Sequence, residues 1–205
     1  MNNYEYIIAS LPVLQHGTHK SSGPDAGQAD ALVGEIRSAL SARDVKTTDF
    51  LLSAYDGTAT LDKDFYATAA KSRSRFIREF LDFDRKLRNT KVAWINRALA
   101  RPDSQDIVLL GEEDPLDFEE RPQVEAALSE SDLLARERAL DDLMWHKAEE
   151  ITVSDLFDIE TILAFIAKLK IIDRWEKLDP QTGSEFFRKL VGEIRATYDN
   201  KNIKI

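Results

Sequence analysis

Not one of the 205 residues is a cysteine. A disulfide framework and a thiolate metal site are both excluded, and a reducing compartment is the natural setting. Glycine and proline are scarce, at 8 and 6 residues, and neither occurs between Asp62 and Leu99, so a long uninterrupted element is permitted there. No apolar run approaches the ~20 residues that a membrane span needs. The longest, Ile162 to Ile172, is broken by Lys168 and Lys170 and reads as a core helix. The start, Met1-Asn-Asn-Tyr-Glu5, places no basic segment ahead of an apolar one and no small-residue cleavage site after it, so export is not expected. A chain of this length can bury roughly 70% of the surface its unfolded form exposes, enough for a core without covalent staples.

What is present is charge, unevenly distributed. Residues 1–61 carry −3, 62–101 carry +6, 103–160 carry −15 and 161–205 carry +3, within a total of −9. A basic middle followed by an acidic stretch fits either helices that pair within the molecule or faces for different partners. The acidic total opposes direct binding to anionic lipid, so membrane association is expected only through protein partners.

The apolar spacing is helical almost throughout. Tyr4 to Pro12 is an apolar segment ending at proline, with a weak lean to helix. His16 to Gly27 reads as a loop. Leu32, Val33, Ile36 and Leu40 form one helical stripe; Thr48 is a capping candidate for a short helix carrying Phe50, Leu51 and Leu52, which Gly57 ends. Phe65, Phe76, Phe80, Phe83, Leu87, Trp94 and Ile95 recur at helical spacing. A continuous helix from Asp62 to Leu99 would be on the order of 55 Å long, the alternative being a break near Asn89-Thr90. Residues 111–120 form an acidic connector, and Pro122 suits a helix N1 position. Ser131 is a capping candidate for a helix with Leu133, Leu134, Leu140, Leu143 and Met144 inward. Between Asp155 and Leu178 the apolar residues, Ile162, Phe165, Ile166 and Trp175 among them, cover much of the circumference and predict the central helix. Asp179-Pro180 opens a last helix carrying Phe186, Phe187, Leu190 and Ile194. The expected fold class is all-α, an elongated multi-helix bundle with long antiparallel helices. It forms one helical domain over 1–205, divisible into lobes 1–101 and 116–205 joined by the acidic connector.

Catalytic chemistry finds little support. His16-x-x-His19 has metal-like spacing but no third ligand beside it. His146-Lys-Ala-Glu149 reverses the Glu-x-x-His order of carboxylate di-iron bundles and has no second copy. Gly17 to Gly23 resembles a phosphate loop only in composition, lacking the Gly-Lys-Ser/Thr ending. The acidic residues 112–120 lack the alternating ligands and glycine of a calcium loop. No catalytic, cofactor-binding or metal residue is assigned and no cofactor is expected. The basic residues Lys71, Arg75, Arg78 and Arg85, with Arg73 and Arg88 nearby, fall approximately along one helical face. Interleaved Asp82 and Asp84 argue against nucleic acid. Those four, with Glu112, Glu113 and Asp114 of the connector, are the candidate partner contacts.

Four segments carry a resemblance: Tyr4 to Pro12, Phe83-Asp-Arg-Lys-Leu-Arg-Asn89, Leu109-Leu-Gly-Glu-Glu-Asp114, and above all Phe157 to Trp175. Together they resemble a bacterial family that accompanies V/A-type rotary ATPases and is similar to the helical C-subunit of that machine. The resemblance implies a non-catalytic accessory subunit linking the central rotor shaft to the membrane ring and supporting ATP-driven ion and proton transport. Its implied partners are the central-stalk and membrane-ring subunits, and its implied location is the cytoplasmic, inner face of the membrane, reached through the ATPase complex. The alternative is a generic helical adaptor or regulatory interaction module.

Overall fold

A computed structural model describes residues 4–14, 28–111 and 114–177. Within them the chain forms eight helices and no strand: α1 (Glu5–Ser10), α2 (Gln28–Ala39), α3 (Ala42–Ser53), α4 (Lys63–Ala70), α5 (Arg75–Ala98), α6 (Arg121–Leu128), α7 (Leu133–Thr152) and α8 (Ile159–Lys177). The fold is an all-α multi-helix bundle. The loop with His16 and His19, the connector residues Glu112 and Glu113, and the helix expected after Asp179-Pro180 lie outside the described residues.

Helix α8 sits at the centre because between Ile162 and Ile171 its apolar residues, interrupted only by Lys168 and Lys170, leave almost no polar face to point at water. Ile162, Leu163, Ala164, Phe165, Ile166, Ala167, Leu169 and Ile171 are all buried, and the helix packs on α2, α3, α5 and α7. Trp175, expected inside, is half-buried and donates its Nε1–H to Asp141 at 2.6 Å. Long-range contacts fix the helix directions. Along α7 and α8, Lys168 pairs with Glu149 and Arg174 with Asp141; along α5 and α7, Lys91 pairs with Glu137, and the Arg75 guanidinium reaches the Ile151 carbonyl near the other end. Higher numbers meet lower ones in both pairs, so α7 runs antiparallel to α5 and to α8.

The core has two clusters. One gathers Leu51, Tyr66, Phe76, Ile77, Phe80, Ile151 and the α8 residues; the other holds Phe83, Leu87, Val124, Ala127, Leu128 and Leu140. Half-buried Met144 packs against both. Helices α5 and α7 run through both clusters, so each takes side chains from before and after the acidic connector.

Several local expectations change. The stretch from Asp62 to Leu99 is two helices, broken at Lys71–Ser74 rather than near Asn89-Thr90. Ser74 starts α5 by accepting the Ile77 N–H at 3.1 Å, while the Arg78 guanidinium bonds the carbonyls of Ser72, Arg73 and Ser74, so these polar groups satisfy a turn at least as well as helix. Asn89 stays helical because its amide grips the Val108 backbone from both sides, at 3.0 and 2.8 Å. Thr48 caps nothing; it is fully buried inside α3, whose cap is Ser41. Asp132, not Ser131, caps α7 by accepting from Leu134 and Ala135. Helix α3 ends at Ser53, before Gly57, which sits at φ +74° in the turn beyond. Pro122 lies in the first turn of α6, as expected. Phe157 precedes α8 and is 46% exposed, while Leu133 and Leu134 are each 64% exposed, because the buried stripe of α7 begins only at Leu140.

The burial pattern gives a contrast. Phe165→Ala, at a side chain 8% exposed, is expected to lower the free energy of unfolding by about 3–5 kcal/mol, whereas Leu133→Ser should change it by less than about 0.5 kcal/mol. Urea denaturation of the two variants checks the assignment.

Candidate partner-binding surfaces

The basic residues singled out in the sequence do not form one exposed stripe. Lys71 is exposed at the C-cap of α4, outside α5. Arg75 pairs with Asp155 and the Ile151 carbonyl, and its bond to Asp155 raises its pKa further. Arg78 closes the turn before α5. Arg85 is 5% exposed and bonds Asp82 at 2.6 Å and the Val108 carbonyl at 3.3 Å. Arg88 is held by Asp84 at 2.8 Å. On the connector, exposed Asp114 accepts the Leu116 N–H at 2.9 Å. The basic segment thus spends much of its charge inside the molecule, on acids of its own helix and of the acidic segment: Arg75 on Asp155, Lys91 on Glu137 and Arg97 on Glu125.

Besides Tyr6 and Val13, on and after α1, exposed apolar side chains lie at the two ends of α7. At its start stand Leu133 and Leu134, and Ile95, one turn beyond Lys91 on the antiparallel α5, is 53% exposed. At its finish Val153 and Leu156 are 82% and 66% exposed, followed by Phe157, whose carbonyl accepts the Tyr4 N–H at 2.8 Å. The 20 residues of α7 separate the two groups by about 30 Å. The pattern used to find helices assigns an apolar residue to the core by default; the tell was position, since Leu133-Leu134 directly follows a cap and Val153 to Phe157 lies between two helices.

Between the ends, Asp30 of α2, the turn after α3 (Ala54, Tyr55 and Asp56), α5, α7 and α8 line a charged cleft of about 670 Å³. Asp84 accepts from Tyr66 at 2.7 Å and from Arg88, and Asp141 from Arg174 and Trp175. Burial, reinforced by Asp84, pushes the Tyr55 and Tyr66 phenols well above their ordinary value. Burial also raises Asp141, against the pull of Arg174. Most charged groups lining the cleft are in ion pairs: Asp30–Lys170 ties α2 to α8 and Asp141–Arg174 ties α7 to α8, while Asp84–Arg88 and Asp173–Lys177 lie within α5 and α8.

The fold and surfaces define a helical-bundle protein with two separate apolar ends and a paired ionic interior. The chain belongs to the family described as protein of unknown function (DUF2764), which matches residues 57–198 and so takes in α4 to α8. No curated protein and no solved structure matches the chain. Among the described residues, no helix is long and apolar enough to cross a membrane.

Ionic bracing gives a pH dependence. Half-buried Asp82 is opposed by burial, yet hydrogen bonds from Lys86 and Arg85 win and hold its pKa below the ordinary 3.8. A depressed folded-state pKa contributes stability that is present above the unfolded value and is lost as pH falls through the folded one. Asp82→Asn should therefore be less stable near neutrality and lose less stability between about pH 5 and about pH 2. Urea midpoints across that range, for both proteins, measure the difference.

Proposed function

We propose that the chain is a non-catalytic, C-subunit-like component of a V/A-type rotary ATPase, linking the central rotor shaft to the membrane ring and supporting ATP-driven ion transport. It works at the cytoplasmic face of the membrane, held there through its protein partners. The observation that carries this reading is the pair of exposed apolar groups about 30 Å apart at opposite ends of α7. A coupler must touch two partners at once and must not bend between them. Exposed apolar clusters mark protein interaction sites, and cross-helix pairs such as Lys91–Glu137, Arg174–Asp141 and Lys168–Glu149 tie α7 to its neighbours along its length. The resemblance of Phe157 to Trp175 to sequences of the C-subunit type supports the same assignment. A generic two-ended adaptor would use these surfaces equally, so the partner decides between the two readings.

Deletion of the gene followed by isolation of the ATPase tests the proposal. The expected result is a complex with impaired coupling of ATP hydrolysis to ion pumping, restored by the wild-type chain. The double variant Leu133→Ser, Leu134→Ser should fold normally and restore coupling poorly. An intact ATPase with fully coupled pumping in the absence of the chain would reject the rotary reading and favour the adaptor.

A further inference from the structure

Three helix N-termini meet at one cleft of about 460 Å³, lined by the starts of α3, α5 and α8 together with Tyr4. Each terminus brings partial positive charge and unsatisfied N–H groups, and each has a carboxylate devoted to it. Glu160 accepts from the Ser74 hydroxyl at 2.7 Å and from the backbone N–H of Arg75 and Phe76 at 3.2 and 2.8 Å. Asp158 accepts the Glu160 N–H at 3.1 Å. Asp44 accepts from the Ser41 and Tyr4 hydroxyls in the first turn of α3. These acids face inward and their charge is offset by the helix ends.

The cations on the same cleft have no such employment. Arg43, Lys46 and Arg73 are exposed, and none of them forms an ion pair with an acid among the described residues. They differ in this from Arg75, Arg85, Arg88 and Arg97, each held by a carboxylate. The cleft also adjoins the segment at the end of α7: Asp158 and Tyr4 line it, the Phe157 carbonyl accepts the Tyr4 N–H, and exposed Leu156 and Phe157 directly precede Asp158 in the chain.

We infer that this composite surface, three exposed cations that form no ion pair among the described residues beside an exposed Leu-Phe pair, docks an acidic amphipathic segment of a partner protein. Carboxylates of that segment meet Arg43, Lys46 and Arg73 while its apolar side chains cover Leu156 and Phe157. A protein segment fits better than an extended polyanion for two reasons. The chain as a whole carries −9, so a long phosphate backbone leaving the three cations would run along repulsive surface; and a phosphate backbone offers nothing apolar to the Leu-Phe pair. Docking at this end uses the same Leu156-Phe157 pair as the proposed coupling, but does not depend on the partner being a rotary ATPase.

The full chain can be titrated with a fluorescent helical peptide bearing leucines on one face and glutamates on the other. Parallel arms use the same peptide with lysine for glutamate, single-stranded RNA, and vesicles containing phosphatidylserine. The expected result is saturable binding of the Leu/Glu peptide that weakens with added salt, and weaker or no binding in every parallel arm. Affinity should fall at least about tenfold in Arg43→Glu, Lys46→Glu, Arg73→Glu, since opposed charges govern docking, and comparably in Leu156→Ser, Phe157→Ser. Circular dichroism confirms that each variant keeps its helices; should the apolar pair fail that check, Leu156→Ser alone replaces it. No binding, binding retained by either variant, or preference for RNA, vesicles or the lysine peptide would overturn the inference.

Discussion

Glu160 joins the first turn of α8 to the first turn of α5, and the arrangement of the long helices depends on that contact. Its two carboxylate oxygens take the Ser74 hydroxyl and two backbone N–H groups that no residue within α5 can satisfy. Its charge also lies against the positive end of the α5 dipole. One residue along, the Arg75 guanidinium leaves the same corner to hold Asp155 and the Ile151 carbonyl at the end of α7. The start of α5, the end of α7 and the start of α8 are thereby fixed to a common origin. From it α5 and α8 run one way and α7 the other, with Asp141 taking Arg174 and Trp175 farther along.

That origin explains why the charge pattern of the chain is useful without a binding role for all of it. The basic residues after Asp62 and the acids after Asp103 are separate in sequence, yet antiparallel packing of α5 and α7 brings members of each together, as in Lys91–Glu137. Half-buried pairs of this kind contribute little singly; inside the cleft, buried Asp141 of α7 takes Arg174 and Trp175 of α8, and buried Asp84 of α5 takes the Tyr66 hydroxyl of α4, contacts that fix which faces meet. The cations left over, Arg43, Lys46 and Arg73, sit beside acids that already have other partners: Glu160 and Asp158 on the starts of α5 and α8, and Asp44 on the Ser41 and Tyr4 hydroxyls.

The helices themselves were largely legible in the sequence. The nearly continuous apolar surface from Ile162 to Ile171 announced the central helix, and the absence of glycine and proline after Asp62 announced α5. The interruption at Lys71–Ser74 was not legible, because the donors and acceptors that make a turn there include Glu160, 86 residues from Ser74. For the same reason the partners of Arg75 and Arg85 could not be read from periodicity: each is spent on a group in another element. Leu133, Leu134 and Phe157 misled in the opposite direction, since spacing alone cannot tell an apolar residue that packs from one that ends a helix in solvent. Of the candidate contacts chosen from sequence, Lys71 and Asp114 are exposed while Arg85 is enclosed.

The central claim is that the bundle acts as a strut engaged at both ends of α7. Hydroxyl-radical footprinting of the chain, free and within the isolated ATPase, tests it most directly. The account predicts strong protection on assembly at both Leu133-Leu134 and Leu156-Phe157, with Met144, already half-buried between the clusters, unchanged. Protection at one end only, or at neither, would contradict it.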